Sequence, residues 1–438
     1  MPLLIVITGI ILLFILIAVF KLNAFIAFII VCLFVGIVGG MELQSVIQSI
    51  QTGMGNTLGF LVMILGFGSM LGKLVADSGA AQKITTQLVS SFGIKNVQWA
   101  VVLTGFIVGI PMFYSVGFVI LIPLVFTVAA TTKLPLIYVG LPMLASLSVT
   151  HGFLPPHPAP TAIAVMFDAD IGKTLVYGII IAIPAIIVAG PLFSRTIKNI
   201  NATPLKEFYN PVILEDHEMP SLTTSIISAL LPVILIGLST LSNSFLPQDF
   251  FLKPIIDFIG NPVIAMLISV LVAIYTLGLA RGRKMVDIMK SVSTAVSSIT
   301  MVLLIIAGAG ALKEILTDSG VSDYIAELLV GSSISPLILA WLIATAIRIS
   351  VGSATVAGLT AAGIIMPLVS STGVSPESMV LAIGSGSLML SHVNDGGFWL
   401  FKEYFNLSIK DTLSTWTVME TTVGVMGLIG VLVLNIFI

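Results

Sequence analysis

The sequence predicts an all-α polytopic membrane protein, and three observations carry that prediction. Of the 438 residues, 57% are apolar and only 9% are charged, where a soluble domain carries roughly a quarter charged residues. Mean hydropathy is +1.17, so eighteen Lys and Arg with twenty Asp and Glu cannot cover a water-exposed surface of this size. Uncharged runs of about 20 residues, enough to span a ~30 Å hydrocarbon core, recur along the whole chain. These features exclude a soluble enzyme and a disordered scaffold. A net charge of −2 leaves no polybasic patch for nucleic acid. A single cysteine, Cys32, rules out an intrachain disulfide, a thiol-pair redox site and a cysteine metal cluster. No metal or cofactor is expected.

The first run, Leu3 to Phe20, ends at Lys21. It lacks a basic start and a small-residue cleavage site, so it reads as a retained helix rather than a signal peptide. Further runs lie at about 22–40, 57–72, 97–132, 134–167, 174–194, 223–247, 261–280, 292–312, 335–375, 378–394 and 412–438. Two of them, 97–132 and 335–375, are too long for one helix and hold Gly, Ser and polar residues at their centres. They are expected to be re-entrant hairpins, which leaves about ten spanning helices. With the N-terminus outside, fourteen of the eighteen Lys and Arg residues fall on the cytoplasmic side, as the positive-inside rule requires. That tally is unchanged if a hairpin is instead two full crossings, because both return to the same side. The polar stretch 195–221, with Arg195, Lys198, Lys206, Glu207 and Glu215-Asp216-His217-Glu218, is then a cytoplasmic linker too short for a soluble domain.

The chain also resembles itself. Asp77-Ser78-Gly79 recurs as Asp318-Ser319-Gly320, and at the same offset of 241 His151 meets His392 and Ser146 meets Ser387. Around the hairpins the frame slips by about three residues, so that Pro123 meets Pro367. The expected organisation is an N-terminal helix (1–21), a first repeat (22–194), a linker with a connecting helix (195–262) and a second repeat (263–438). The one extra helix at 223–247 turns the second repeat upside down relative to the first. Inverted repeats are the architecture of secondary transporters, which hold their substrate near the midplane where broken helices meet.

Chemistry is expected at those breaks. The first hairpin centre is Gly109-Ile110-Pro111-Met112-Phe113-Tyr114-Ser115-Val116-Gly117, and the second runs from Arg348 through Gly352-Ser353-Ala354-Thr355 to Gly358. Gly and Pro stop a helix, and the freed N–H groups and hydroxyls at a half-helix start attract a carboxylate. Ser115, Ser353 and Thr355 are therefore expected to bind substrate, whereas Gly105, Gly358 and Gly363 read as close-packing positions. A second pair of breaks is better defined. His151 to Pro160 holds four prolines and two histidines, and its partner is Ser391-His392-Val393-Asn394-Asp395-Gly396-Gly397-Phe398. Ionisable groups at membrane depth are functional candidates by default. His151, His157 and Asn394 are expected at the substrate, with Asp395 and His392 as proton-coupling groups. Arg348 either clamps a substrate carboxylate or pairs with Asp395. Glu420, in the last span, is a weaker proton candidate. Lys313, Glu314, Asp318, Asp323 and Glu327 read as a solvated outer face without a role. There is no GxxxxGK[ST] loop, HExxH or GxSxG motif, so neither ATP nor a hydrolytic centre is expected to drive the protein.

The string SVTHGFLPPHPAPTAIA (148–164), with GSATVAG (352–358), SHVNDGGFWLFKEYF (391–405) and residues 64–79, resembles the gluconate permease family of proton symporters. The resemblance runs from Met1 to Ile438. It implies uptake of gluconate or a related sugar acid with a proton across a bacterial cytoplasmic membrane. It also implies a fold of the ion transporter superfamily, with a scaffold part and a mobile part that carries the hairpins, a homodimer, and an elevator motion. The chain departs from the family pattern at Ser115, where an acidic residue is usual, and at Ala159, where the string commonly reads PPHPGP. Alternatives are a sodium- or proton-coupled carrier of citrate, glycerate or D-serine and, more remotely, a membrane-embedded enzyme.

Overall fold

The computed structural model describes residues 2–203, 214–247, 249–320 and 335–438, and every regular element among them is helical. Lys206, Glu207, Asp323 and Glu327 lie outside the described residues. Eight described helices are long and apolar enough to cross a membrane, or up to nine if the pair Ala80–Phe92 and Ile94–Gly109, bent by 114°, counts as one span. This is close to the ten expected. The runs at 3–20 and 22–40 give α1 (Pro2–Phe14), which continues into a wider turn at Ile15–Val19, and α2 (Ala24–Val38), both shorter than an ordinary crossing.

The longest helix, α3 (Leu43–Asp77), starts well before its apolar run, because Gln44, Gln48 and Gln51 are good helix formers without charge. It stops at Ser78-Gly79, where Gly79 takes φ +77° and breaks the helix before the next one starts at Ala80. After α4 (Ala80–Phe92) come α5 (Val97–Gly109) and α6 (Tyr114–Thr132), then α7 (Leu136–Phe153), α8 (Pro158–Met166) and α9 (Ile171–Thr196). Two helices, α10 (Leu222–Phe245) and α11 (Lys253–Gly260), lead to the remainder: α12 (Pro262–Ala273), α13 (Met285–Asp318), α14 (Pro336–Val351), α15 (Ala354–Thr372), α16 (Pro376–Gly386), α17 (Gly396–Tyr404) and α18 (Ile409–Leu434).

With α4 left aside, the element order of 24–196 returns among the described residues of 262–434. Helices α3 and α13 have 35 and 34 residues and end on the matching Asp-Ser-Gly, with Gly320 at φ +70°. Helices α6 and α15 have 19 residues each and stop on left-handed residues, Lys133 and Gly373. The short helices α8 and α17 have nine residues each, and α9 and α18 have 26. Other pairs differ in length, α5 and α14 with 13 and 16 residues and α7 and α16 with 18 and 11.

In lipid, apolar burial does not drive helices together, so small residues that let backbones approach matter most. Helices α3 and α13 make the most extensive contact in the molecule, and it closes on Gly53 and Gly310. A Cβ on Gly53 would stand 2.4 Å from the Gly310 carbonyl oxygen, and one on Gly310 would stand 2.2 Å from Thr57 Oγ1. The most enclosed span is the one built from α7 and α8, with 89% of its apolar window buried against 33% for α10. Its broken middle therefore sits at the centre of the protein. The linker is tied to α4 by a two-pronged contact, Gln82 Nε2 donating to the Leu214 carbonyl (2.9 Å) and Leu214 N–H donating to Gln82 Oε1 (3.1 Å).

Lys313 is not simply solvated. It is half-buried, and its Nζ donates to the Met166 carbonyl at the end of α8 (2.9 Å). Asp318 likewise accepts a hydrogen bond from Ser49 Oγ on α3 (2.5 Å). A helix end leaves carbonyls unsatisfied, and α13 supplies a cation to one of them.

Candidate functional site

Four interruptions of helix converge. Between α5 and α6, Pro111 removes an N–H and the chain turns over Ile110–Phe113. Between α7 and α8, Leu154 and His157 are extended around Pro155 and Pro156. Between α14 and α15, Gly352 takes φ +78° and Ser353 caps the new helix, accepting from Val356 N–H (3.3 Å). Between α16 and α17, the chain unwinds from Ser387 to Asp395, whose Oδ1 caps α17 by accepting from Gly397 N–H (3.0 Å).

The breaks are pinned to each other by two histidines. His157 Nε2 donates to the Gly109 carbonyl at the end of α5 (2.8 Å), and His392 Nε2 donates to the Ile349 carbonyl near the end of α14 (3.0 Å). Asn394 Nδ2 donates to the same Ile349 oxygen (2.7 Å). A terminating helix leaves its last carbonyls without partners inside the helix. The Gly109 oxygen also accepts from Met112 N–H (3.3 Å), and each histidine secures one hairpin arm to the neighbouring unwound chain.

Between the second hairpin and α7 lies a cavity of about 380 Å³, lined among others by Tyr114, Ser148, His151, Arg348, Ser353, Thr355, Asn394, Asp395, Trp416 and Glu420. A larger cavity of about 650 Å³, around Asp168, Asp170 and Asp257 between the α8–α9 turn and α10–α12, is lined by no residue of the four breaks. Within the smaller cavity, Arg348 is only 3% exposed and its Nη2 is ion-paired with Asp395 Oδ2. That carboxylate oxygen also accepts from Ser391 Oγ, which in turn accepts from Trp416 Nε1 (2.8 Å). Asp395 is therefore held by an arginine, a hydroxyl and a backbone N–H together. Arg348 Nε and Nη1 are buried without a hydrogen-bond partner. Five fixed donors on a planar fork match a carboxylate in two-pronged fashion, and a buried guanidinium with idle donors is costly.

Glu420 is 2% exposed and accepts from Ser148 Oγ across from α18 to α7. An aromatic wall closes one side, with Tyr114 edge-on to Trp416 (centroids 5.9 Å) and near His151 (6.0 Å). His151 Nδ1 is buried without a partner.

Of the residues expected at the site, His151, Arg348, Ser353, Thr355, Asn394 and Asp395 line this cavity. Ser115 does not. It is exposed, because one helical step of about 100° carries it away from Tyr114, which does line the cavity. His157 is 4% exposed and stacks edge-on to His151 (5.4 Å), outside the cavity lining. His392 is half-buried at the hairpin carbonyl rather than in the lining. Among the polar and aromatic lining residues, Tyr114, Ser148 and Trp416 are not part of the expectation from sequence. Ser148 stands three before His151 and Trp416 four before Glu420, spacings that share a helix face. That signal was available.

The chain matches known proteins in sequence and, more distantly, in fold. Residues 1–437 match the GntP family permease description. The chain is 53% identical to a "High-affinity gluconate transporter" of Escherichia coli (strain K12), with all of both chains covered. It is 52% identical to that organism's "Gnt-II system L-idonate transporter", covering 99% of each. It is 47% identical to a "Gluconate permease" of Bacillus licheniformis over all of both chains. Two solved structures share the fold at 17% identity. These are the Alcanivorax borkumensis YdaH transporter (TM-score 0.64, covering 94% of this chain and 96% of that one) and Neisseria gonorrhoeae MtrF (TM-score 0.65, 94% and 93%).

Proposed function

Because the chain belongs to the GntP family of permeases, a family of polytopic membrane transporters, we propose that it imports gluconate or a closely related sugar acid by proton symport. The single observation that carries the reading is the buried Arg348 guanidinium. Two of its nitrogens have no partner, and it lines the same cavity as the start of α15. A monocarboxylate would accept from Arg348 Nη1, with Ser353, Thr355 and the free N–H groups at the α15 start completing its shell. The substrate hydroxyls would meet His151 and Asn394. Ser115 and His157 take no direct part in this reading, and His157 and His392 keep the hairpins in place.

The halves 22–194 and 263–438 act as inverted repeats, and their orientation rests on the distribution of Lys and Arg along the sequence. The hairpins and broken helices (97–196 and 336–434) move as one body against α3, α13 and α10–α12 in an elevator cycle, in a homodimer within a bacterial plasma membrane. No catalytic chemistry is involved. The support for a moving body is that the interrupted helices pack chiefly on one another, whereas α3 and α13 are unbroken and pack on each other.

The test is uptake of radiolabelled gluconate into vesicles with an imposed pH gradient, with and without sodium. Sodium-independent accumulation against its gradient is expected. Accumulation that requires sodium, or uptake of citrate in preference to gluconate, would replace this reading with the other carrier class.

A further inference from the structure

Resting on that reading, we infer that the coupled proton is carried by Glu420, while Asp395 serves as the fixed counter-ion that orients Arg348. The two carboxylates in the cavity are held in different ways. Asp395 is bound by Arg348, Ser391 and the Gly397 N–H, so protonating it would break an ion pair and release the arginine that is to receive the substrate. Glu420 is more deeply buried and receives one hydrogen bond, from Ser148 Oγ. It forms no ion pair among the described residues. The groups that line the cavity with it are Ser148 and His151 from α7, Tyr114 from α6, Arg348 from α14, Asp395 from the α16–α17 break, and Trp416 from its own helix.

Charge balance makes the assignment a coupling mechanism. With both carboxylates ionised, Arg348, Asp395 and Glu420 sum to one negative charge. A monoanionic substrate adds a second, beside the buried Arg348 and Glu420, where unpaired charge is expensive. One proton taken from water by a Glu420 oxygen restores the charge of the empty cavity. On the far side the acid returns that proton to water as the substrate leaves. The loaded and empty carriers then cross with equal charge, and one proton moves with each monocarboxylate. Binding of either one favours the other, since each offsets the charge the other brings.

The test uses the full-length protein in proteoliposomes, with labelled gluconate, counterflow as a readout of binding and movement, and accumulation as a readout of coupling. In the wild type, a one-unit pH gradient at zero voltage should give about tenfold accumulation, since one pH unit and a tenfold ratio are the same free energy. A membrane potential alone should give none. Glu420→Gln should still catalyse counterflow but accumulate to a ratio of 1. Glu420→Asp should keep coupling, and Ser148→Ala should keep it with a displaced pH profile. Full accumulation by Glu420→Gln would overturn the inference. So would accumulation driven by voltage alone, or loss of counterflow in both Glu420 variants. Asp395→Asn or His392→Gln retaining counterflow while losing accumulation would place the proton elsewhere. Absence of counterflow in the wild type is a distinguishable result that would overturn the sugar-acid reading and this inference with it.

Discussion

Gly352 lies directly against the backbone of Asn394. A Cβ on Gly352 would stand 2.1 Å from the Asn394 carbonyl oxygen and 2.6 Å from its carbonyl carbon. The second hairpin and the second broken helix therefore meet backbone to backbone at the cavity, and the contact leaves no room for a side chain. Gly352→Ala must displace main chain on one side and also strain a residue held at φ +78°. Strain of this kind costs on the order of 1–3 kcal/mol before the clash is added. The expected result is a lower unfolding midpoint in detergent and loss of uptake. Gly373 is the internal control, since it has φ +66° with nothing within 4 Å of its missing Cβ. Gly373→Ala should lower the midpoint less and leave transport nearly intact.

Substituting Arg348 should separate charge from geometry. Arg348→Lys keeps the cation but loses the planar fork. The lost hydrogen bonding to a charged group, roughly 1.5–3 kcal/mol, should raise the KM for gluconate by tenfold or more. Arg348→Gln leaves Asp395 with its charge uncompensated, a change costing about 3–5 kcal/mol for a buried pair, and should abolish uptake and counterflow. Asp395→Asn should reduce both as well, because it frees the guanidinium. Kinetics in proteoliposomes would show all three.

Removing either histidine clamp should loosen one hairpin. His157→Ala leaves the buried Gly109 carbonyl with only the longer bond from Met112 N–H (3.3 Å), at a cost of about 1–3 kcal/mol. His392→Ala should cost less, because His392 is half-buried and water can replace it. Differential scanning of the purified variants checks the order. If His157 touched substrate instead, its variant would change KM more than the unfolding midpoint.

Ser115 offers the opposite test. An exposed side chain outside the cavity should tolerate change, since surface substitutions are usually within about 0.5 kcal/mol. Ser115→Ala should leave KM and the pH dependence of uptake near those of the wild type. A large effect on either would return Ser115 to the substrate path.

Much of the architecture was legible from composition and spacing. The apolar runs, the Gly and Pro interruptions and the repeated Asp-Ser-Gly all correspond to helices, breaks and helix ends in the fold. Backbone that cannot continue a helix must do something else wherever it is placed, so Pro111, Pro155 and Gly352 mark their breaks locally. The partners across those breaks were not legible. Nothing along the chain says that His157 reaches back to Gly109, or that Lys313 reaches Met166. Those bonds join residues separated by 48 and 147 positions.

What the sequence by itself determined is which residues could bear charge or break a helix inside lipid, because lipid forbids both without compensation. Only the tertiary structure decided how the compensation is shared. It spent Asp395 on Arg348, left two nitrogens of that arginine idle, and turned Glu420 toward the same space from the last helix. The reason is physical. An ion pair or a hydrogen bond depends on distances of about 3 Å, and those are set by how helices cross, not by how far apart residues lie along the chain.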